Sequence, residues 1–279
     1  MTTDHALITT NLSSGYDGRT VTTGIDLAVP PAKISVIVGA NACGKSTLLK
    51  TMARLLPPLQ GSVFLDGKAI QKTPSRELAR TLGLLPQTPL APEGITVADL
   101  VSRGRHPHQK LFRSWTAHDE RAVAEALTQT GTAELAGRAV DELSGGQRQR
   151  VWIAMALAQE TDVLLLDEPT TYLDLAHQVE VLDLLTDLNR SRGTTIVMVL
   201  HDINLAARYA DHLFALRDGH LVADGSPNDV LSEKLIFDVF GLQSTVMSDP
   251  VSLTPLVLPR GRHHVLSADL TPQSEGVSP

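Results

Sequence analysis

The sequence predicts an α/β fold: a mixed, largely parallel sheet carrying a glycine-rich loop, an N-terminal antiparallel β-subdomain and an inserted α-helical subdomain. Three observations predict it. A short apolar run, Ile34 to Val38, passes through Gly39 into a small-residue loop and then a helix opened by Lys45. Two further apolar runs, Val163 to Leu166 and Thr195 to Leu200, have the continuous pattern of strands buried on both faces. Between Thr88 and about Glu160, helical periodicity takes over from strand-like patterning.

From the N-terminus, Leu7 to Leu12 and Val21 to Val29 alternate apolar and polar residues and read as antiparallel strands, with turn residues Gly15 to Gly18 between them. Lys33 to Leu55 then spells strand, loop and helix. Gly39 with Gly44-Lys45-Ser46 fits G-x-x-x-x-G-K-[ST], the P-loop, in its required setting. Backbone N–H groups of such a loop curl round a phosphate, which glycines permit. The helix N-terminus adds unpaired donors and a positive dipole end. Lys45 is placed to reach the β- and γ-phosphates, and the Ser46 hydroxyl to ligate Mg²⁺. Leu48, Leu49, Met52 and Leu55 share one face of the helix. Tyr16 has two readings, an ordinary half-buried turn aromatic or a ring that stacks on adenine. Cys43 also has two. Inward amides, the helix dipole and Lys45 favour its thiolate, whereas a packed cysteine is a small inert filler.

Pro57-Pro58 and Gly61 break the chain, and Ser62 to Leu65 with Lys68 to Ile70 form a hairpin turned at Asp66-Gly67. Thr73-Pro74 starts a short helix with proline at its first position, and Leu82 to Leu85 is a buried strand ending at Pro86-Gln87. Thr96 caps Val97 to Arg103, and Thr116 caps Ala117 to Thr130 before Gly131. Gly104 to Trp115 is a basic, aromatic loop. Its His106-Pro107-His108 suggests a metal pair, yet no carboxylate or cysteine stands at ligand spacing, which favours a structural or partner-surface role. Leu143-Ser144-Gly145-Gly146-Gln147 leads into the helix Arg148 to Gln159, as a second anion-facing N-terminus or a plain cap.

The strand Val163 to Leu166 ends in Asp167-Glu168-Pro169. An acid at the carboxyl end of a buried parallel strand beside a P-loop can hold Mg²⁺. The next acid points differently and can polarise a water for attack on the γ-phosphate. Asp174 caps an amphipathic helix with Leu175, Val179, Leu182, Leu185 and Leu188 on one face, stopped by Gly193. Thr195 to Leu200 ends in His201-Asp202, where the histidine can donate to the γ-phosphate or serve the structure. Leu213 to Leu216 and Leu221 to Asp224, turned at Asp218-Gly219, form a closing hairpin, followed by short helices near Pro227 to Leu231 and Ser232 to Phe240. Residues 1–260 read as one domain with the helical subdomain at about 88–160 inserted, and 261–279 as a disordered polar tail.

Composition narrows the function. At 279 residues the chain can bury roughly three-quarters of its unfolded surface, enough for one large domain with a lobe. A net charge of −7 without a long basic run argues against a nucleic-acid partner. The single cysteine excludes an intrachain disulfide and a multi-cysteine zinc site. No export signal and no bilayer-length apolar run is present, so a membrane role has to come through a partner.

These motifs, in this order, resemble the ATP-binding cassette family over about Ala6 to Gly241, a P-loop NTPase core. Gly39 to Thr47 matches its Walker A, Gln87 its Q-loop and Leu143 to Gln147 its signature. Val163 to Glu168 matches Walker B, Thr171 to Asp174 the D-loop and His201 the switch histidine. Val101 to His108, Leu143 to Thr171, the phrase VLHDINLAARYADHLFALRDG and DPVSLTP at Asp249 to Pro255 are similar to the ATPase subunits of bacterial ferric-siderophore importers. Two departures, Ala42 where glycine is common and Tyr172 in the D-loop, remove no phosphate-binding atom.

The resemblance implies an ATPase using ATP and Mg²⁺, working as a head-to-tail homodimer. Lys45, Thr47 and the loop from Gly39 through Asn41 and Gly44 would hold the phosphates, with Tyr16 at the base. Ser46, Gln87 and Asp167 would serve the magnesium, Glu168 the water and His201 the γ-phosphate. Ser144, Gly145, Gly146 and Gln147 would meet the partner's nucleotide. Integral-membrane permeases, received by the helical lobe, and indirectly an extracytoplasmic substrate-binding protein are the implied partners, at the cytoplasmic face of the membrane. Haem or cobalamin is the alternative cargo. A soluble cassette acting on ribosomes or DNA is a second class, though such relatives usually carry paired cassettes. A P-loop kinase or GTPase is a third, but a kinase lacks the signature and a GTPase needs an N-K-x-D that is absent.

Overall fold

The computed structural model describes residues 5–109 and 115–261. β1 (Leu7–Tyr16) and β2 (Arg19–Val29) pair antiparallel. β3 (Ile34–Gly39) leaves for a second sheet and feeds α1 (Lys45–Met52). β4 (Gln60–Leu65) and β5 (Lys68–Ala69) return to complete the first sheet in the order β2-β1-β4-β5. After α2 (Ser75–Thr81) and β6 (Leu82–Leu85), three helices pack together: α3 (Val97–Ser102), α4 (Ala117–Gln129) and α5 (Gly145–Ala158).

Strands and helices then alternate: β7 (Val163–Asp167), α6 (Leu175–Arg192), β8 (Thr195–Val199), α7 (Ile203–Tyr209), β9 (His212–Arg217) and β10 (His220–Gly225). The second sheet runs β10-β9-β3-β8-β7-β6 and is parallel apart from β10. α8 (Pro227–Val230), α9 (Glu233–Phe240) and a hairpin of β11 (Ser244–Ser248) and β12 (Pro255–Pro259) follow.

The central strands are buried along their whole length because both faces are covered. Their period of two sends alternate side chains to different cores. Val36, Val38, Leu164, Leu166 and Met198 face the cluster that includes Val151, Trp152 and Leu182. Ile37, Leu165, Val197 and Val199 join Leu48, Leu49 and Met52 of α1 and Leu12 and Ile25 of the first sheet. Ile37 and Asp167 both lie level with Val199, so the chain leaves β3, β7 and β8 at one edge. That register brings the glycine loop, the Asp167-Glu168 pair and His201 together.

Several boundaries differ from the sequence reading. Gly15 and Tyr16 belong to β1, and the turn is Asp17-Gly18. α1 ends at Met52, which leaves Leu55 exposed rather than on the buried face. Pro74 caps α2 from outside, and Ile70 opens a 3₁₀ turn. Leu175 is exposed, while Val181 replaces it in the core. α7 and the β11–β12 hairpin had no counterpart in the sequence reading. Gly104 to Trp115 is not a loop throughout. Arg103–Arg105 is a 3₁₀ turn, and Arg105 is 1% exposed, held by Asp119, Glu160 and the Ala158 carbonyl. Residues 110–114 of that stretch, and 262–279 of the expected tail, lie outside the described residues.

Candidate active site

The glycine loop is shaped by close approach. A Cβ on Gly39 would stand 2.3 Å from the Leu216 carbonyl oxygen of β9, and one on Gly44 (φ +103°) 2.5 Å from Thr22 Cγ2. Ala42 takes φ +61° in the left-handed region. Lys45 is buried, and its Nζ donates to the carbonyls of Gly39 (2.8 Å) and Ala40 (2.9 Å), closing the loop on itself. Thr47 follows in the first turn of α1.

The Ser46 hydroxyl donates to Asp167 Oδ1 at 2.7 Å. Asp167 is 1% exposed, and its Oδ2 has no hydrogen-bond partner among the described residues. Burial pushes its carboxyl above the usual range, against the pull of Ser46, Lys50 and Lys45. A buried, unpartnered carboxylate oxygen beside a hydroxyl is a pair of hard oxygen donors, and that chemistry fits Mg²⁺.

Glu168 stands one residue beyond β7 with φ +55°. Its Oε2 accepts from Gln87 Nε2 (2.6 Å) and Thr171 Oγ1 (3.1 Å), and its Oε1 lies 2.6 Å from His201 Nε2. Three chain segments therefore converge on one carboxylate. It is 7% exposed at the edge of a cleft of about 540 Å³. The cleft is lined by Val21 and Ala42 and by Asn41, Gly44, Lys45, Ser46, Thr47, Gln87, Glu168 and His201, all but the first two anticipated from sequence as site residues. A cation, oriented loop amides, an oxygen pair fit for a metal and a carboxylate beside a histidine can together bind a polyphosphate and deprotonate a water.

Not every expected residue meets there. Tyr16 lies half-exposed at the end of β1 and does not line the cleft. Ser144 to Gln147 sit at the N-terminus of α5, also outside the lining, in a reciprocal capping box: Gln147 N–H donates to Ser144 Oγ at 3.3 Å, and Ser144 N–H to Gln147 Oε1 at 3.1 Å. Ser144 and Gly145 are exposed. Val21, Ala42 and the Thr171 hydroxyl were missed as site groups; threonine three residues after Glu168 was the available signal for the last.

Two open readings resolve toward structure. His108 Nε2 donates to the Gln159 carbonyl at 2.8 Å, burial lowers its pKa, and no metal-competent cluster of His, Cys, Asp or Glu occurs among the described residues. Cys43 is 6% exposed in the α1 core. Burial raises its thiol pKa and outweighs Lys45 and the loop N–H groups, so the expectation of a favoured thiolate is corrected.

Residues 22–171 match the sequence pattern of the ABC transporter family. This chain belongs to that family. It is 55% identical over 257 residues to the achromobactin transport ATP-binding protein CbrD of Dickeya dadantii, covering 92% of this chain and 96% of the relative. It is 52% identical to the ferric enterobactin transport ATP-binding protein FepC of Escherichia coli, over 90% of this chain and 93% of the other. Among solved structures, a dimeric structure of the bacterial ABC transporter cassette MJ0796 superposes with a TM-score of 0.71 at 27% identity, covering 79% of this chain and 98% of that one. The ABC fold and its ATP-hydrolysing activity are therefore those of this chain.

Proposed function

We propose that this chain is the ATP-hydrolysing subunit of a bacterial importer for ferric siderophores. The observation that carries the hydrolytic reading is the Glu168 carboxylate, held between Gln87 and His201 across the cleft from Lys45 and Ser46. The cargo reading is supported by relatives named for achromobactin and ferric enterobactin transport at 55% and 52% identity. A hemin import relative from Gloeobacter violaceus stands at 41%.

In this reading Lys45, Thr47 and the amides from Gly39 through Asn41 to Gly44 take the phosphates, and Tyr16, exposed at the end of β1 outside the cleft lining, would stack on a base that extends beyond the cleft. Ser46, Asp167 and Gln87 would hold Mg²⁺, which would supply neutralisation of phosphate charge. His201 turns from Glu168 Oε1 to the γ-phosphate, and the freed oxygen takes a proton from the attacking water. The water oxygen bonds to the γ-phosphorus as the bridging oxygen leaves with ADP. Ser144 and Gly145, exposed on their own subunit, and the half-buried Gly146 and Gln147 complete the partner's site in a head-to-tail homodimer, as the dimeric cassette relative suggests.

Residues 1–260 form one domain with a helical subdomain inserted at about 88–160. No helix among the described residues is long and apolar enough to cross a membrane. The chain binds membrane permeases from the cytoplasmic face, fed by an extracytoplasmic binding protein.

The test is Glu168→Gln. ATP should still bind and trap a dimer detectable by light scattering, while kcat falls on the order of 10²–10⁴-fold. Hydrolysis near the wild-type rate removes Glu168 as the base. Growth of a deletion strain on ferric siderophores, haem and cobalamin as separate sources identifies the cargo; failure on haem alone overturns the siderophore reading.

A further inference from the structure

Gln149 lies in the second turn of α5, the helix whose N-terminus carries Ser144, and is 8% exposed. Its Nε2 donates to the main-chain carbonyl of Pro169 at 2.9 Å, across 20 residues of sequence. A buried amide is costly unless it is hydrogen-bonded, and an apolar side chain of the same length would pack there without that cost. The position thus invites the question of what the bond holds in place.

Pro169 follows Glu168, the residue at φ +55°, and Tyr172 three residues later sits at φ +67°. Two left-handed non-glycine residues in one short turn persist only where the surroundings over-determine them. Within the turn, Thr171 N–H donates to the Glu168 carbonyl at 3.2 Å and Leu173 N–H to the Thr170 carbonyl at 3.3 Å. From outside, two glutamines grip its two ends. Gln149 of α5 holds the Pro169 carbonyl, and Gln178 of α6 donates from Nε2 to the Leu173 carbonyl at 3.0 Å. The turn also lies close against the start of α5: a Cβ built on Gly146 would stand 3.3 Å from Leu173 Cδ2.

We infer that Gln149 is a positioning residue for hydrolysis. Through the Pro169 carbonyl it fixes the turn that aims the Glu168 carboxylate, and it ties that aim to the helix bearing Ser144. A displacement of α5 is thereby passed to Glu168 of the same subunit through one hydrogen bond. The inference rests on Glu168 being the base. Gln149 is buried and does not line the cleft, so its loss should leave phosphate binding alone and misdirect the proton acceptor. Misplacement of a reacting group by about 1 Å costs up to about 10²-fold in rate.

The experiment compares the full chain with Gln149→Met, which keeps the length and removes the donor, and Gln149→Asn, which keeps the amide but withdraws it by one methylene. Steady-state ATPase assays should show kcat reduced by roughly 10- to 100-fold in the Met variant and by less in the Asn variant, with KM for ATP within about twofold of wild type. Two results overturn the inference: a kcat within about twofold of wild type in both variants, or a KM that rises by the same factor as kcat falls. Glu168→Gln is assayed alongside. If it hydrolyses ATP normally, the base assignment fails and the inference falls with it. If it is inactive while both Gln149 variants are normal, only the role of Gln149 is lost.

Discussion

Removing the Arg105 guanidinium should unfold the chain far more readily than its place in a basic surface stretch suggests. The side chain is 1% exposed, with Nε 2.9 Å from Asp119 Oδ1 and Nη1 2.7 Å from both Glu160 Oε2 and the Ala158 carbonyl. Arg105→Met strands the Asp119 carboxylate, whose side chain is 7% exposed, and one helix-end carbonyl; Glu160, at 26%, can find water. Breaking a buried pair from one side costs about 3–5 kcal/mol, and the partial exposure of Glu160 places the expectation near the lower end, about 3 kcal/mol. Asp119 supplies an independent check. Burial alone would raise its pKa, but Thr116 and Arg105 outweigh burial and bring it down from 3.8 to about 2. Because the folded value lies below the unfolded one, its contribution, on the order of 2 kcal/mol, is fully present above about pH 4 and is lost as pH falls through about 2. Part of that depression belongs to Thr116 and survives the substitution. Urea unfolding at neutral pH should therefore show the full deficit, and the gap to wild type should narrow as pH drops through that window. A deficit below about 1 kcal/mol at neutral pH, the range of exposed pairs, refutes the reasoning.

Two further outcomes follow from the loop. A maleimide reagent should leave Cys43 unlabelled in the folded protein, with or without Mg-ATP, and label it once urea unfolds the chain; equal rates in both states would sink the buried-filler reading. Gly39→Ala forces a Cβ to within 2.3 Å of the Leu216 carbonyl oxygen. It should destabilise the chain by more than about 2 kcal/mol and abolish ATP binding, as read by thermal melting and nucleotide titration.

The central strands were legible because burial on both faces leaves a continuous apolar run that needs no knowledge of its neighbours. The site motifs were legible for a related reason: each is local, and each sits where such a run ends. What the chain order does not carry is the convergence itself. Gln87 and Glu168 are 81 residues apart, and their 2.6 Å contact depends on β6 and β7 pairing side by side. Cys43 shows the converse failure. The charges that lower its pKa are its sequence neighbours, whereas the side chains that bury it come from elsewhere in the fold. Arg105 looked like part of a basic, aromatic loop because its acceptors lie 14, 53 and 55 residues away. Leu175 fits the apolar stripe of α6, but the first turn of that helix stands clear of the core. The β11–β12 hairpin offered little to read, since proline opens and closes β12 and, among the described residues, it pairs with one short partner.

Lys45 has a last consequence. With its ammonium on the carbonyls of Gly39 and Ala40, the loop is a closed hoop before any nucleotide arrives. If Lys45 takes a phosphate as proposed, its ammonium gives up these two hydrogen bonds and forms others, so the net enthalpy of capture should be modest. In return there is little backbone left to freeze, which for a floppy loop costs about 1–2 kcal/mol per residue. Capture then becomes a swap on a rigid frame. On the same proposal, the two carbonyls would take the ammonium back as product departs, and the hoop would reclose without waiting for the chain to refold.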